Sequence, residues 1–269
     1  MSTLLCCPLC RETLIRQENR YACSKGHSFD LARQGYVNLL MSQRSSHRQH
    51  GDDPGMVIAR RDFLEAGYYL PLRDALVEAV MRHCPSSAKI ADAGCGEGWY
   101  TAAVAKALPG AEVYGFDISK DALRWASKRF EAPRLAVASC FDLPLADGCL
   151  DGILNIFSPL AAEEYARVLR PGGCLFRVVP GIKHLWELKE AIYEIPLPNK
   201  PEPRDLPGLT PVEEIPIRYE LELKDPAHIM ALFQMTPYYY RTSPGDHAKA
   251  QALTTLKTRI EFDLLIYRR

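Results

Sequence analysis

The chain has 269 residues, 47% hydrophobic and 25% charged, with 33 basic and 33 acidic side chains and so no formal net charge. That composition excludes a disordered chain, and a chain of this length buries roughly three quarters of its unfolded surface, so it needs no disulfide framework. No apolar run approaches the ~18 residues of a membrane span, and Met1–Pro8 lacks the basic and apolar regions of a signal peptide, so a cytoplasmic protein is expected.

The front of the chain carries the first strong pattern. Cys7 and Cys10 are followed after twelve residues by Cys23 and His27, a C-x2-C-x12-C-x3-H array. Each pair sets two ligands on one side of a tight turn, and the four close a tetrahedron around one structural Zn²⁺ with no open position. Cys6 breaks the spacing to Cys10 and is left out of the set. The other five cysteines, at 84, 95, 140, 149 and 174, are scattered singly, as buried thiols usually are.

Residues 1–38 read as this zinc-binding unit and its exit, and residues 39–84 as a linker and helices. Within the latter, 41–54 is polar and reads as a mobile linker, and helical periodicity returns over Met56–Leu64 and Tyr69–His83. From residue 85 to 269 the pattern is α/β. Strands are expected at Lys89–Asp92, Glu112–Asp117, Arg134–Ala138, Leu150–Asn155 and Cys174–Val179. Helices are expected at Tyr100–Leu108, Asp121–Phe130 and Ala161–Leu169, with a turn at Pro171-Gly172-Gly173. Such alternation gives a mostly parallel sheet covered by helices on both faces. Pro196–Pro216 holds seven of the twenty prolines and reads as a stiff, irregular insertion. It precedes long strands at Ile215–Leu223 and Arg259–Tyr267, with a helix at Ala227–Gln234 between them.

The most informative segment is Asp92-Ala93-Gly94-Cys95-Gly96-Glu97-Gly98, which follows a strand and opens a helix, as a nucleotide-binding loop does. Its D-x-G-x-G-x-G spacing is not that of a dinucleotide fold, and no P-loop sequence is present. Asp117 ends the next strand, where a carboxylate can accept both hydroxyls of a ribose. Asp142, after the third strand, is placed to meet an adenine amino group. These features resemble the class I S-adenosylmethionine-dependent methyltransferases, over roughly residues 85–269. The resemblance implies a seven-stranded sheet ending in an antiparallel hairpin. It also implies that Gly94, Gly96 and Gly98 flank the methionine moiety, Asp92 orients its amino group indirectly and Asp117 holds the ribose.

The zinc knuckle in front of this domain narrows the likeness. Cys7-Pro8-Leu9-Cys10, Cys23 with His27, Phe29-Asp30, Gly35–Leu40, Gly51–Pro54, Ala59–Leu64, Tyr69–Leu72, Asp92–Tyr100 and Pro180–Leu185 together resemble the RlmA family of bacterial 23S ribosomal RNA guanine-N1 methyltransferases. The match runs nearly end to end. It implies a substrate guanine in a hairpin of domain II of 23S rRNA, an influence on tylosin-type macrolide sensitivity, and a homodimer with an RNA groove between two knuckles. It further implies that Tyr36, Tyr69, Gly98, Trp99, Asp117 and His184 line the methyl-donor pocket. From the residues alone, Tyr36 and Tyr69 read equally well as packing between domains, Trp99 as core, and His184 as a helix-start histidine facing water.

Where an N-methyltransferase acting on an exocyclic amino group carries D/N-P-P-Y, this chain reads Asn155-Ile156-Phe157-Ser158-Pro159, with Phe157 either stacking on a base or packing in the core. His184, Glu187 and Asp142 all remain open as proton acceptors. Arg11, Arg16, Arg20, Lys25, Arg33, Arg44 and Arg48 form the expected RNA-recognition surface of the front end. Through Arg61 there are nine basic against five acidic residues, so overall neutrality is a basic front cancelled by an acidic remainder. Two other functions stay open: a small-molecule methyltransferase with the proline-rich segment as a lid, and a non-catalytic zinc-bearing RNA-binding factor.

Overall fold

Three short antiparallel strands, β1 (Ile15–Arg16), β2 (Arg20–Ala22) and β3 (Ser28–Asp30), carry the knuckle in a computed structural model that describes residues 3–41, 53–131 and 134–269. Arg44 and Arg48, and most of the 41–54 linker, lie outside the described residues. A further strand, β4 (Val37–Asn38), leaves the knuckle and pairs in parallel with the edge of the main sheet.

Helix α1 (Pro54–Glu65) starts where sequence chemistry puts it: the Asp53 carboxylate accepts the Gly55 and Met56 N–H groups at 2.7 and 3.1 Å, and Pro54 fills the first turn. Helix α2 (Leu70–His83) has Arg82 and His83 in its last turn, where the Arg82 guanidinium complements the helix dipole. The α/β series follows as β5 (Lys89–Ala93), α3 (Trp99–Ala107), β6 (Glu112–Asp117), α4 (Lys120–Arg129), β7 (Leu135–Val137), β8 (Leu150–Ile156), α5 (Ala162–Val168) and β9 (Leu169–Pro180). The chain ends with α6 (Trp186–Ile192), β10 (Thr210–Leu223), α7 (Pro226–Gln234), α8 (Pro244–Gln251) and β11 (Leu256–Arg268).

The sheet order is β10-β11-β9-β8-β5-β6-β7-β4, parallel from β9 to β4, with β11 antiparallel to both β9 and β10. This is the expected seven-stranded sheet and terminal hairpin, with β4 added as an eighth strand. Successive residues of the central strands point to opposite faces. Ile90, Val113, Leu154 and Phe176 join a core with α1, α2, α3 and α7, whereas Ala91, Tyr114, Ile153 and Leu175 join a second core. That second core also takes in Leu5, Leu14 and Tyr21 of the knuckle, so the small zinc-bearing unit packs against one face of the sheet.

Two expectations are corrected. Pro171-Gly172-Gly173 is not a free turn before a strand but a bulge inside β9. Leu150 pairs with Leu169 and Gly152 with Cys174, so extra residues loop out of the ladder on one side only. The proline-rich segment is irregular only as far as residue 209. Its end enters β10, where Pro211 and Pro216 are tolerated because β10 is the outer strand of the sheet. The short helices α6 and α8 were not anticipated.

Candidate active site

The zinc site is a local matter of turn geometry. The ligand atoms of Cys7, Cys10, Cys23 and His27 all lie within 4.8 Å of one another. Cys10 Sγ is 3.7 Å from Cys23 Sγ, and His27 Nδ1 is 3.5 and 3.4 Å from the sulfurs of Cys7 and Cys23. A tetrahedron with Zn–S near 2.3 Å and Zn–N near 2.0–2.1 Å has edges of about 3.8 Å between sulfurs and about 3.6 Å from sulfur to nitrogen, so the donor set fits that ion. Against the upward push of burial, N–H groups of His27 and Lys25 draw the Cys23 thiol down to about 7, toward the thiolate a metal requires. Cys6 is buried beside the Leu4 carbonyl, outside this cluster.

A cavity of about 670 Å³ opens at the C-terminal ends of β5, β6 and β8, the place where parallel sheets present ligands. Asp92, Gly94, Gly96, Asp117 and Asp142 all line it. The backbone N–H groups of Gly94 and Cys95 both bond the Phe116 carbonyl, at 2.8 and 2.9 Å, which ties the glycine loop to β6. Asp117 accepts the Gly96 N–H through Oδ2 at 2.9 Å and the Ser119 N–H through Oδ1 at 2.8 Å, so its carboxylate is fixed at the rim.

Asp92 is 1% exposed. Its Oδ2 accepts the Thr101 hydroxyl at 2.6 Å, while Oδ1 has no partner among the described residues. Burial pushes its carboxyl up to about 7, further helped by the charges of Asp117 and Glu97 and opposed by the Thr101 hydrogen bond. A buried carboxylate oxygen left open at a cavity wall suits a cationic amino group, and the methionine moiety of S-adenosylmethionine supplies one. Gly94 makes room for the wall itself. With φ of +100°, a Cβ there would meet the Ser158 Cβ at 2.4 Å. Ser158 in turn donates to the Ala93 carbonyl and accepts from Asn155 Nδ2, both at 2.5 Å, stitching the exit of β8 to that of β5.

A second cavity of about 380 Å³ adjoins the first, and Arg60, Leu64, Tyr100, Phe157 and Ser158 line both. Tyr69 and His184 face this second space. His184 is buried rather than facing water. Its Nδ1 accepts the Glu261 N–H at 3.2 Å, which leaves Nε2 to carry the proton. Burial, with the nearby Lys189 and Arg218 cations, pushes it down to about 3, so it is neutral. Phe157 stands at the junction in a left-handed conformation, φ 53°, half-exposed, with its ring 5.0 Å from that of Phe262; it is not a core phenylalanine.

Tyr36, Gly98 and Trp99 are not on either lining. Tyr36 packs behind the loop with Cys95, Leu123 and Ala126. At Gly98 a Cβ would come within 3.1 Å of the Ala126 Cβ, so glycine lets α3 start against α4. Trp99 stands edge-on to Tyr100 with the Arg73 guanidinium over its ring. The sequence reading missed Arg60, Tyr100 and Ser158. Ser158 had a visible signal, its place at the exit of a strand. Arg60 had none, because only the packing of α1 brings it to the glycine loop.

Comparison with known proteins agrees with both halves of this architecture. Residues 5–47 match the family model described as RlmA, N-terminal, and residues 90–173 match a methyltransferase domain. A Micromonospora griseorubida protein, provisionally named a 23S rRNA (guanine-N(1)-)-methyltransferase, is 36% identical over 264 residues, spanning 89% of this chain and 88% of that one. This chain belongs to the RlmA-type 23S rRNA (guanine-N1)-methyltransferase family.

A further relative, the 23S rRNA (guanine(748)-N(1))-methyltransferase of Streptomyces fradiae, is 39% identical over 189 residues, covering 69% of this chain and 66% of its own. A provisionally named Bacillus subtilis homologue is 35% identical over 200 residues, covering 70% and 68%. This member of the RlmA family is thus an S-adenosylmethionine-dependent methyltransferase with a structural zinc in its front end. No described helix is long and apolar enough to cross a membrane.

Proposed function

We propose that this RlmA-type enzyme transfers a methyl group to N1 of a guanine in 23S rRNA, in a hairpin of domain II, in the cytoplasm. The observation that carries the reading is the pair of adjoining cavities that share Arg60, Tyr100 and Phe157. One takes the methyl donor and the other an extruded base, so that the reacting atoms meet at the common wall. Bound there, S-adenosylmethionine supplies a methyl group already activated by a sulfonium.

The protein's part is positioning and exclusion of water. Asp92 faces the donor's amino group, Gly94 and Gly96 allow the backbone close to the methionine moiety, Asp117 takes the ribose and Asp142 the adenine edge. Gly98, Trp99 and Tyr36 brace the loop from behind. Tyr69, Phe157 and Phe262 offer aromatic walls to the base. Residues 1–38 act as the zinc-binding RNA-recognition unit, 39–84 as linker and helices, and 85–269 as the catalytic domain. Arg16 and Arg20 stand exposed on knuckle strands β1 and β2, and Arg33 is exposed in the turn between β3 and β4, all available for phosphate contacts. An influence on macrolide sensitivity and a dimer that pairs two knuckles around the RNA belong to the same reading.

The test is to incubate the protein with tritiated methyl donor and unmodified, in-vitro-transcribed 23S rRNA, then digest and identify the labelled nucleoside. Label in 1-methylguanosine is expected, and position 748, named for the Streptomyces fradiae relative, is the first to map. One observation favours the rival small-molecule reading. Asn199 and Glu202 of the proline-rich segment wall the second cavity, as a lid would. Label that appears in small molecules from an extract but not in RNA would establish that rival.

A further inference from the structure

Methylation at guanine N1 requires a group that takes the proton from that nitrogen, within reach of the cavity that holds the base. His184 is ill-suited, because its Nδ1 already accepts the Glu261 N–H and its Nε2 carries a hydrogen. Glu187 lies on neither cavity wall and is bound by Arg259, the Arg259 N–H and Thr258. Asp142 belongs to the donor cavity and is ion-paired with Arg11. Among the described residues lining the second cavity, Glu202 is the only carboxylate.

Its surroundings are built rather than accidental. Glu202 stands between Pro201 and Pro203, whose fixed φ angles stiffen the strap. Arg177, 3% exposed inside β9, donates Nη2 to Glu202 Oε2 at 2.6 Å and Nη1 to the Pro203 carbonyl at 2.7 Å. Upstream, the Asn199 N–H bonds the Ile182 carbonyl and its Nδ2 bonds that of Gly181, both at 2.9 Å, while Lys189 Nζ holds Asn199 Oδ1 at 2.7 Å. The strap is thus pinned on both sides of Glu202. One carboxylate oxygen is engaged by the guanidinium, and Oε1 has no partner among the described residues.

We propose that Glu202 is the catalytic proton acceptor for the target guanine; the inference rests on the reading of the second cavity as the base site. In the step, N1 forms its bond to the methyl carbon as the carbon–sulfur bond breaks. Sulfur keeps that electron pair, and the N1 proton passes to Glu202 Oε1 and then to water, because the Glu202 side chain is 40% exposed. The same pair of groups discriminates. Guanine presents an acceptor at O6 beside a donor at N1–H, matching His184 Nε2–H and the Glu202 carboxylate, whereas adenine presents the reverse pattern.

The test uses the full-length zinc-loaded protein, tritiated donor and in-vitro-transcribed 23S rRNA under single-turnover conditions. Glu202→Gln keeps the side-chain volume and an acceptor for Arg177 but removes the base. It is expected to slow formation of 1-methylguanosine by about 10²–10⁴-fold. RNA affinity by filter binding and S-adenosylhomocysteine affinity by calorimetry should stay within about threefold. Glu202→Ala should regain rate as formate is added, which a merely structural role would not produce. Label in 1-methylguanosine at the normal rate from Glu202→Gln overturns this proposal alone, as does failure of formate to rescue Glu202→Ala or a loss of RNA affinity that accounts for the slower rate. If the wild-type protein itself places no label in 1-methylguanosine, the proposed function fails and this inference falls with it.

Discussion

Arg11, four residues beyond the zinc-ligand position Cys7, is ion-paired with Asp142, the residue that walls the donor cavity after β7, and its Nη1 also donates to the Leu143 carbonyl at 3.0 Å. The knuckle is joined to this loop at two further points. The Cys6 N–H bonds the Pro144 carbonyl at 2.7 Å, and Leu5 bridges Leu145. Pro8, between two zinc ligands, is itself on the cavity wall. Zinc, knuckle and donor pocket are therefore one mechanical unit.

The first prediction follows from that unit. Arg11→Ala should weaken S-adenosylhomocysteine binding about two- to fivefold, a modest effect because the pair is partly solvated. Removing zinc with a chelator should weaken it more, by loosening Pro8 and the 142–145 loop together. Calorimetry on zinc-loaded and chelated protein checks both, and unchanged affinity after zinc removal would show that the cavity does not depend on the knuckle.

Asp92 makes a pH-dependent prediction. Burial raises its pKa in the folded protein to about 7, against about 3.9 unfolded. Between those values the folded state holds a proton that the unfolded state has lost, so this group's contribution favours folding below pH 4 and declines as pH rises toward 7. Asp92→Asn should therefore raise the thermal midpoint of the ligand-free protein at pH 8. It should also lower donor affinity by about tenfold or more, because the amide offers the cationic amino group no charge. Differential scanning calorimetry and titration with S-adenosylhomocysteine at pH 6 and 8 measure the two effects. A variant that neither stabilises the free protein nor weakens binding would remove Asp92 from the site.

The elements most legible in the sequence were those whose chemistry is local. The zinc ligands sit in two turns with fixed spacing, and the Asp92–Gly98 loop lies between a strand and a helix in consecutive residues. The sheet was legible because near-continuous apolar strands such as Ile90–Ala93 and Gly152–Ile156 are covered on both faces. The junction of the cavities was not, because it is assembled from afar: Arg60 comes from α1, Tyr100 from α3 and Ser158 from the exit of β8. Asp142 was expected at the donor cavity, but nothing in the spacing announced Arg11 as its partner 131 residues earlier. The bulge at Pro171–Gly173 looked like a turn because a two-residue glycine step reads the same in either setting. Only the register against β8 separates them.

The glycines of the loop predict different failures. At Gly94 a methyl group would collide with Ser158, whose hydroxyl already bridges Ala93 and Asn155. Gly94→Ala should lower the thermal midpoint by several degrees and abolish donor binding. At Gly96 a Cβ would meet nothing nearer than Arg60 Nη1 at 3.9 Å. Gly96→Ala should carry only the cost of its positive φ, about 1 kcal/mol, and remain folded while the added methyl faces the cavity and lowers donor affinity. Circular dichroism melts set beside binding titrations separate the two. Equal destabilisation by both substitutions would contradict the geometry.

His184 predicts acid sensitivity. Burial lowers its pKa to about 3 from the usual 6.5. Between those values the unfolded chain binds a proton that the folded protein does not. Its contribution to stability is therefore full above pH 6.5 and is lost progressively as pH falls toward 3. His184→Gln should flatten that acid limb in urea-unfolding curves taken from pH 4 to 7. A steep limb persisting unchanged in the variant would assign it to other groups.

Tyr100 separates folding from function most cleanly. Its ring is buried, it lines both cavities, and its hydroxyl has no hydrogen-bond partner among the described residues. Burial holds the phenol far above its ordinary pKa, so the group stays a protonated donor on a side chain that both cavities share. An unpaired buried hydroxyl costs about 1–3 kcal/mol in the free protein, and it is tolerated when a ligand later satisfies it. Tyr100→Phe should accordingly leave the ligand-free protein as stable or more so. It should weaken S-adenosylhomocysteine binding or slow methylation by about tenfold, the loss of one hydrogen bond. Stability loss with intact binding would mean instead that the hydroxyl supports the fold.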